Sequence, residues 1–330
     1  MPKEITHWIL AEKAYQGINA DSVLKPIIHR YKNLYMAGAV VMDTPFYQIF
    51  GKNGKNMNKF GHKIHDNPDN SYEPLVKVIS SFSPDIPDDV LSFLLGVISH
   101  IHADSSFHPF VYYFSGTGAS GPKKDRKRAT FLHRALEAYM DLYYSAEFQL
   151  QNKGLFSETL DNMEIEEKRF LKFMALFFSE TEISTMKKAV RIHAVIQKFF
   201  YNNLVKIILK ALNSIPGVEL EHHIASFYPS CKPDPELMFV YPFSYRYPVT
   251  GESFQSSASE LEEKAVRNIL KIFSQIEYLI KNSSFARGLS ELRGPNLYTG
   301  TVGNLESDMY YFSAEKNLMK LIFGDSDNHY

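Results

Sequence analysis

Sulfur is nearly missing from the side chains that cross-link or chelate: Cys231 is the single cysteine in 330 residues. No intramolecular disulfide can form, and a metal site would have to be built from histidines and carboxylates. Net charge is nearly missing too. The 36 basic residues face 37 acidic ones, leaving a formal charge of −1, so bulk electrostatics gives a polyanion no reason to bind. No run approaches the roughly 20 apolar residues of a membrane-spanning helix. The opening Met1-Pro2-Lys3-Glu4-Ile5-Thr6-His7 lacks the apolar stretch of a secretion signal, and a cytoplasmic location is expected. Trp8 is the lone tryptophan, yet 25 Phe and 20 Tyr make the chain rich in rings. Most of these belong in a core; some could line a cleft.

What is present is an ordinary globular composition, 45% hydrophobic and 22% charged. The chain is read as a single all-α domain over residues 1–330, with candidate metal motifs in 5–145 and a helical extension over 151–330. Thr6 predicts a cap for a helix starting at His7. Pro26 suits the first turn of a second helix running from Ile27 to Val41, which Asp43-Thr44-Pro45 ends. Residues 51–71, rich in Gly, Asn, Lys and Asp, predict a long surface loop. A short helix is expected over Tyr72 to Phe82. The acidic pair Asp88-Asp89 opens a long one, which Pro109 should limit. Residues 116–128 read as a polar, basic loop. Met186, Val190, His193, Phe200, Leu204 and Ile208 form one apolar stripe; Leu261, Ala265, Ile269, Ile272, Ile276 and Ile280 form another. Gly294 to Gly300 reads as a loop, with a short helix to follow near 308–322. No stretch alternates convincingly as a strand.

The chemistry concentrates between His100 and Glu137. On a helix, His100, Asp104 and His108 drift by only about 40° per step, and His133 and Glu137 form a second i, i+4 pair. A neutral imidazole and a carboxylate one turn apart can reach one borderline cation such as zinc. Chance placement predicts roughly one His with an acid four residues on. The chain has four, and only His100/Asp104 and His133/Glu137 lie on strongly periodic segments. His102 points about 200° away from His100 and is set aside. His193, on an apolar stripe, reads as a satisfied core histidine; His29, His222, His223 and His329 read as surface residues.

Further runs complete a pattern: Thr6-His7-Trp8-Ile9-Leu10-Ala11, Ala37 to Asp43, Gly61-x-x-x-His65-Asp66, and His108-Pro109 followed by Phe110-Val111-Tyr112-Tyr113. In this order, over about residues 5–145, they resemble the zinc-dependent phospholipase C family, whose fold and metal arrangement the S1/P1 nucleases share. The resemblance implies a multi-helix bundle with up to three zinc ions that cleaves phosphate diesters. It assigns His65, His100 and Asp104 to one zinc, and His108, His133 and Glu137 to a second. His7 would serve the third, with Asp104 bridging. Asp43 matches the family's aspartate beside the cluster, a ligand or the base for the attacking water. Gly-x-x-x-His spacing favours His65 over His62. Secreted members complete the third site with the amine of an N-terminal tryptophan, and no tryptophan stands there, so two zinc ions are expected and the third is open.

The expected activity is metal-dependent hydrolysis of a phosphate diester, phospholipids included, with Phe107, Phe110, Tyr112 and Tyr113 as candidate cleft walls. A second reading is a nuclease on single-stranded nucleic acid, held by the basic run Lys123 to Arg128. A third is a metal-binding helical protein without turnover. Residues 151–330 offer no chemistry of their own.

Overall fold

In the computed structural model of the chain, residues 3–48, 51–82, 86–118, 122–147, 155–178, 181–228, 242–282 and 285–313 are described. The helices, in order, are α1 (Glu4–Gly17), α2 (Leu24–Arg30), α3 (Lys32–Gly38), a 3-10 helix (Val41–Tyr47), α4 (Gly51–His65), α5 (Glu73–Ser80), α6 (Asp88–Ser115) and α7 (Lys123–Glu147). Then follow α8 (Phe156–Asp161), α9 (Glu167–Phe177), α10 (Ile183–Phe199), α11 (Asn203–Asn213) and α12 (Glu221–Ile224). A two-stranded antiparallel hairpin, β1 (Phe243–Arg246) and β2 (Ser253–Ser256), precedes α13 (Ala258–Lys281) and α14 (Phe285–Glu291). Among the described residues the fold is all-α apart from that hairpin.

Everything is arranged around α6. It is long and apolar enough to cross a bilayer, with a mean hydropathy of 1.3 over 18 residues, but that window is 100% buried inside the protein. An all-round apolar helix of a soluble fold belongs in the centre of its core, and here α1, α2, α3, α7 and α13 pack around it. On one side Phe93 meets Phe170, Phe173 and Phe177 of α9, with ring centroids 5.9–6.4 Å apart.

The closest helix contact joins α3 to α6 through two glycines. A Cβ on Gly96 would lie 2.0 Å from the Tyr35 carbonyl oxygen and 2.9 Å from Gly38 Cα. A Cβ on Gly38 would lie 2.3 Å from the Phe93 carbonyl oxygen. Backbones can approach this closely only where neither residue carries a side chain. The approach delivers the end of α3, and Asp43 four residues beyond Ala39, against the His100 face of α6.

Several sequence expectations are corrected. Residues 51–65 form α4, not a loop: Gly54, Met57, Gly61, Ile64 and His65 recur at helical spacing and face inward, and two of them are glycines that a hydrophobicity count ignores. Helix α1 starts at Glu4, and Thr6 does not cap it. Instead Thr6 gives its amide (2.9 Å) and hydroxyl (2.6 Å) to Asp141 on α7. The second expected helix is broken at Tyr31 (φ −119°, ψ 48°) into α2 and α3, and Asp43-Thr44-Pro45 continues as the 3-10 helix. Helix α6 runs through Pro109 to Ser115. Lys123 to Arg128 belong to the first turns of α7. The stripe through His193 and Leu204 is broken between α10 and α11 by Asn202, whose side chain accepts from the Leu204 and Val205 amides. Residues 309–313 are not helical, and the rest of the short helix expected near 308–322 lies outside the described residues, as do Cys231 and His329.

Candidate metal centre

Two groups of side chains converge beside α6. In the first, one ligand atom from each of Asp43, His65, His100 and Asp104 lies within 4.8 Å of the others. His65 Nε2 is 3.2 Å from Asp43 Oδ1, and His100 Nε2 is 3.2 Å from Asp104 Oδ2. The cross-distances, His100 to Asp43 and His65 to Asp104, are 3.6 and 3.7 Å. The second group is His108, His133 and Glu137. There His133 Nε2 lies 2.8 Å from Glu137 Oε1, and His108 Nε2 lies 4.0 Å from it. His7 joins neither group but faces both aspartates, 3.3 Å from Asp104 and 3.9 Å from Asp43, with its ring stacked on His100 at 4.0 Å.

Backbone carbonyls set the histidines. Nδ1 of His65 donates to Gly61 O (2.8 Å), Nδ1 of His100 to Ala39 O (2.9 Å), and Nδ1 of His108 to Leu297 O (2.6 Å). A carbonyl can only accept, so each Nδ1 carries the hydrogen and each neutral ring turns the lone pair of Nε2 inward. The helical run of α6 splits between the groups: His100 and Asp104 enter the first, and His108, two turns beyond His100, enters the second.

The residues fit a cation. Both ring nitrogens of His7, Nε2 of His100, Nε2 of His108 and both oxygens of Asp104 are buried without an aligned hydrogen-bond partner. Buried polar atoms are rarely left so, because each costs about 1–3 kcal/mol. Burial pushes the imidazoles of His7, His108 and His133 down toward the neutral form that ligates metal. Burial would lift the Asp104 carboxyl, but the histidines that surround it, His108 and His100 foremost, hold it well below the usual range. Burial would also lower His100, but the Asp104 and Asp43 carboxylates outweigh it and raise it to about 9. The pocket demands positive charge at that nitrogen, and a proton or a cation can supply it.

Of the other sequence candidates, His62 lies outside both groups, its Nδ1 2.8 Å from the Tyr298 hydroxyl. Tyr112 borders the second group, its ring 4.9 Å from that of His133 and 5.6 Å from that of His108. Phe107 and Phe110 are core residues, and Tyr113 packs on Phe114 and Tyr245. His102 is buried and bonded to Tyr72 (2.6 Å). His193 is satisfied in the core by Thr44 (3.0 Å) and Glu4 (3.1 Å). His29 is exposed, whereas His222 and His223 are half-buried.

Sequence reasoning finds the loop over 294–300 but not its place at the site. Besides holding His108, Leu297 gives its amide to the His65 carbonyl (3.0 Å). The Tyr298 ring stacks on His65 at 5.8 Å and meets His108 edge-on at 5.6 Å. Buried Asn296 shapes the loop, accepting from the Tyr298 and Thr299 amides and donating to Asp66. Gly300, at φ +70°, presses on the Ser105 carbonyl, where an added Cβ would come within 2.3 Å. That carbonyl is exposed to contact because Pro109, four residues on, has no N–H to offer it.

The family model described as zinc dependent phospholipase C matches residues 6–187, more than half of the chain. Comparison with curated proteins and with solved structures gave no match. The matched span contains every residue of both groups and His7, in the order the motifs require. The chain belongs to the zinc-dependent phospholipase C family.

Proposed function

We propose that the protein is a zinc-dependent phosphodiester hydrolase of phospholipase C type. The observation that carries this reading is the convergence of imidazole nitrogens and carboxylate oxygens, nearly all buried, on two adjoining points. His65, His100 and Asp104 would hold one zinc ion, and His108, His133 and Glu137 a second. His7, with Asp104 between, would serve a third. Zinc bound there would polarise phosphoryl oxygens, acidify water and stabilise the leaving alkoxide.

The chain's own contribution is positional. Side chains of His7, His65, His100 and Asp104 are fully enclosed, whereas Asp43 retains 6% exposure, Glu137 6% and His133 16%. Substrate would therefore approach past these three. Asp43 would orient the attacking water and take its proton, as a carboxylate in reach of solvent can. Its partner His65 is held by Gly61 and Leu297, so the pair would not swing away. Tyr112 and Tyr298 would wall the approach beside His133 and His108.

His133→Ala and Glu137→Ala test the reading. Each should lose zinc, measured by elemental analysis, together with hydrolysis of bis-p-nitrophenyl phosphate, while helical circular dichroism is kept. Retained hydrolysis would refute it. The nuclease reading gains nothing specific from the structure: the basic run lies on the exposed first turns of α7.

A further inference from the structure

Helix α11 is built inside out. Its one deeply buried residue is Lys206, 4% exposed, whose ammonium donates to the Tyr228 carbonyl at 3.1 Å. Its aliphatic side chains face water: Leu204 is 66% exposed, Ile207 62%, Ile208 49% and Leu212 43%, with Ile215 just beyond at 50%. These positions follow i, i+3, i+4, i+8 and i+11, one face of a helix. Val195 and Phe199 at the end of α10 extend the face and are likewise exposed. Monomeric proteins seldom leave so continuous an apolar surface uncovered without a use for it.

Charge singles out the occupant. Residues 183–215 hold not one Asp or Glu, although the whole chain is balanced at −1. Lys187 and Arg191 pair with Glu167 and Lys206 is buried, which leaves Lys188, Lys198 and Lys210 as the cations of this surface. Lys198 and Phe199 border the same open groove as Leu204. A helical face of branched aliphatics and an aromatic, with Lys198 at its groove and no acid in the two helices that form it, is the composition that lies in a bilayer interface and favours anionic headgroups. A second copy of the chain fits less well, because a two-fold contact through this face would bring like charges together.

We propose that the outward face of α11 and the end of α10 seat this protein on an anionic phospholipid bilayer. The docked element adjoins the metal centre: His193 of α10 bonds Thr44, the neighbour of Asp43. The idea extends the phospholipase reading, but binding can be measured without turnover, so the two can fail separately.

The test uses full-length, zinc-loaded protein sedimented with vesicles of phosphatidylcholine alone and of an equimolar phosphatidylcholine–phosphatidylglycerol mixture. Wild type should partition onto the mixed vesicles, more weakly onto neutral ones, and less as salt is raised. Leu204→Glu combined with Ile207→Glu should lower partition by at least about tenfold, leaving hydrolysis of bis-p-nitrophenyl phosphate unchanged. Ile207→Cys in a Cys231→Ser background, labelled with an environment-sensitive fluorophore, covers the case of a misfolded double variant. Its emission should be that of a water-exposed dye until mixed vesicles shift it to the blue. Wild type that stays in the supernatant, or a double variant that still sediments, would overturn the proposal. So would a label already shielded without vesicles. Light scattering would then show whether a second copy is what shields it. Diester hydrolysis without vesicle binding would sink docking alone; vesicle binding without hydrolysis would sink the phospholipase reading alone.

Discussion

The carbonyl of Leu297 accepts from Nδ1 of His108 at 2.6 Å, across 189 positions of sequence. A backbone oxygen from the last third of the chain thus decides which nitrogen of a ligand histidine faces the second group. Partners of this kind typically change metal affinity by about 10- to 100-fold when disturbed. Gly300→Ala should disturb this one, since its Cβ would collide with Ser105 and its φ would be strained. We expect zinc affinity at the His108 group to fall within that range, by chelator competition, with a lower unfolding temperature. Unchanged affinity would show that the loop is dispensable.

Gly96 and His100 are one helical turn apart, and Gly38 precedes the Ala39 that fixes His100. Gly96→Ala must push α3 off α6. The cost should be at least about 2 kcal/mol of folding stability in urea titrations, as for other overpacked core sites. Because Asp43 travels with α3, the first zinc should bind more weakly than stability alone would explain. Equal stability of the variant would contradict the contact.

Asp43→Asn keeps the shape of the side chain and removes the carboxylate proposed as the base. Turnover of bis-p-nitrophenyl phosphate should drop by roughly 10²- to 10⁴-fold, while the zinc at His108, His133 and Glu137 is retained. Full activity in this variant would reassign the proton acceptor.

Glu4 predicts a pH dependence away from the metal groups. Burial pushes its carboxyl up, but hydrogen bonding and charge from His193, with help from Lys3 and Tyr47, outweigh this and hold it at about 2 instead of 4.5. A carboxyl lowered by folding stabilises the fold above its unfolded value. That stability is present above pH 4.5 and lost as pH falls toward 2, about 3 kcal/mol in all. The stability gap between wild type and Glu4→Gln should be widest near pH 7 and roughly halved at pH 3. A gap that does not change with pH would remove the charge from the explanation.

The side chains that converge beside α6 are legible in the sequence, because i, i+4 spacing on a helix has one geometric meaning. His100, Asp104, His133 and Glu137 follow from it, and residue order supplies His7, Asp43 and His65 through the family resemblance. What could not be read was carried by backbone. The carbonyls of Gly61, Ala39 and Leu297 have no residue type to recognise, so 294–300 looked like plain loop. Helix α4 was mistaken for a loop because two of its inward positions are glycines. Helix α6 was expected to stop at Pro109, since a lost hydrogen bond usually ends a helix; here the flanking turns are buried and Gly300 packs on the freed carbonyl. Leu204 shares an apolar stripe with buried His193 in the sequence yet faces water, because periodicity tells which residues share a face, not whether that face points inward.

The carbonyl that holds His108 also has a place in time. A ribosome would deliver His7, Asp43, His65, His100 and Asp104 first, then His133 and Glu137, and only much later Leu297. During synthesis the first group could be assembled while the ring of His108 still lacked its anchor. The hydrogen bond that fixes the His108 ring is therefore a late arrival, long after both groups of side chains have been made.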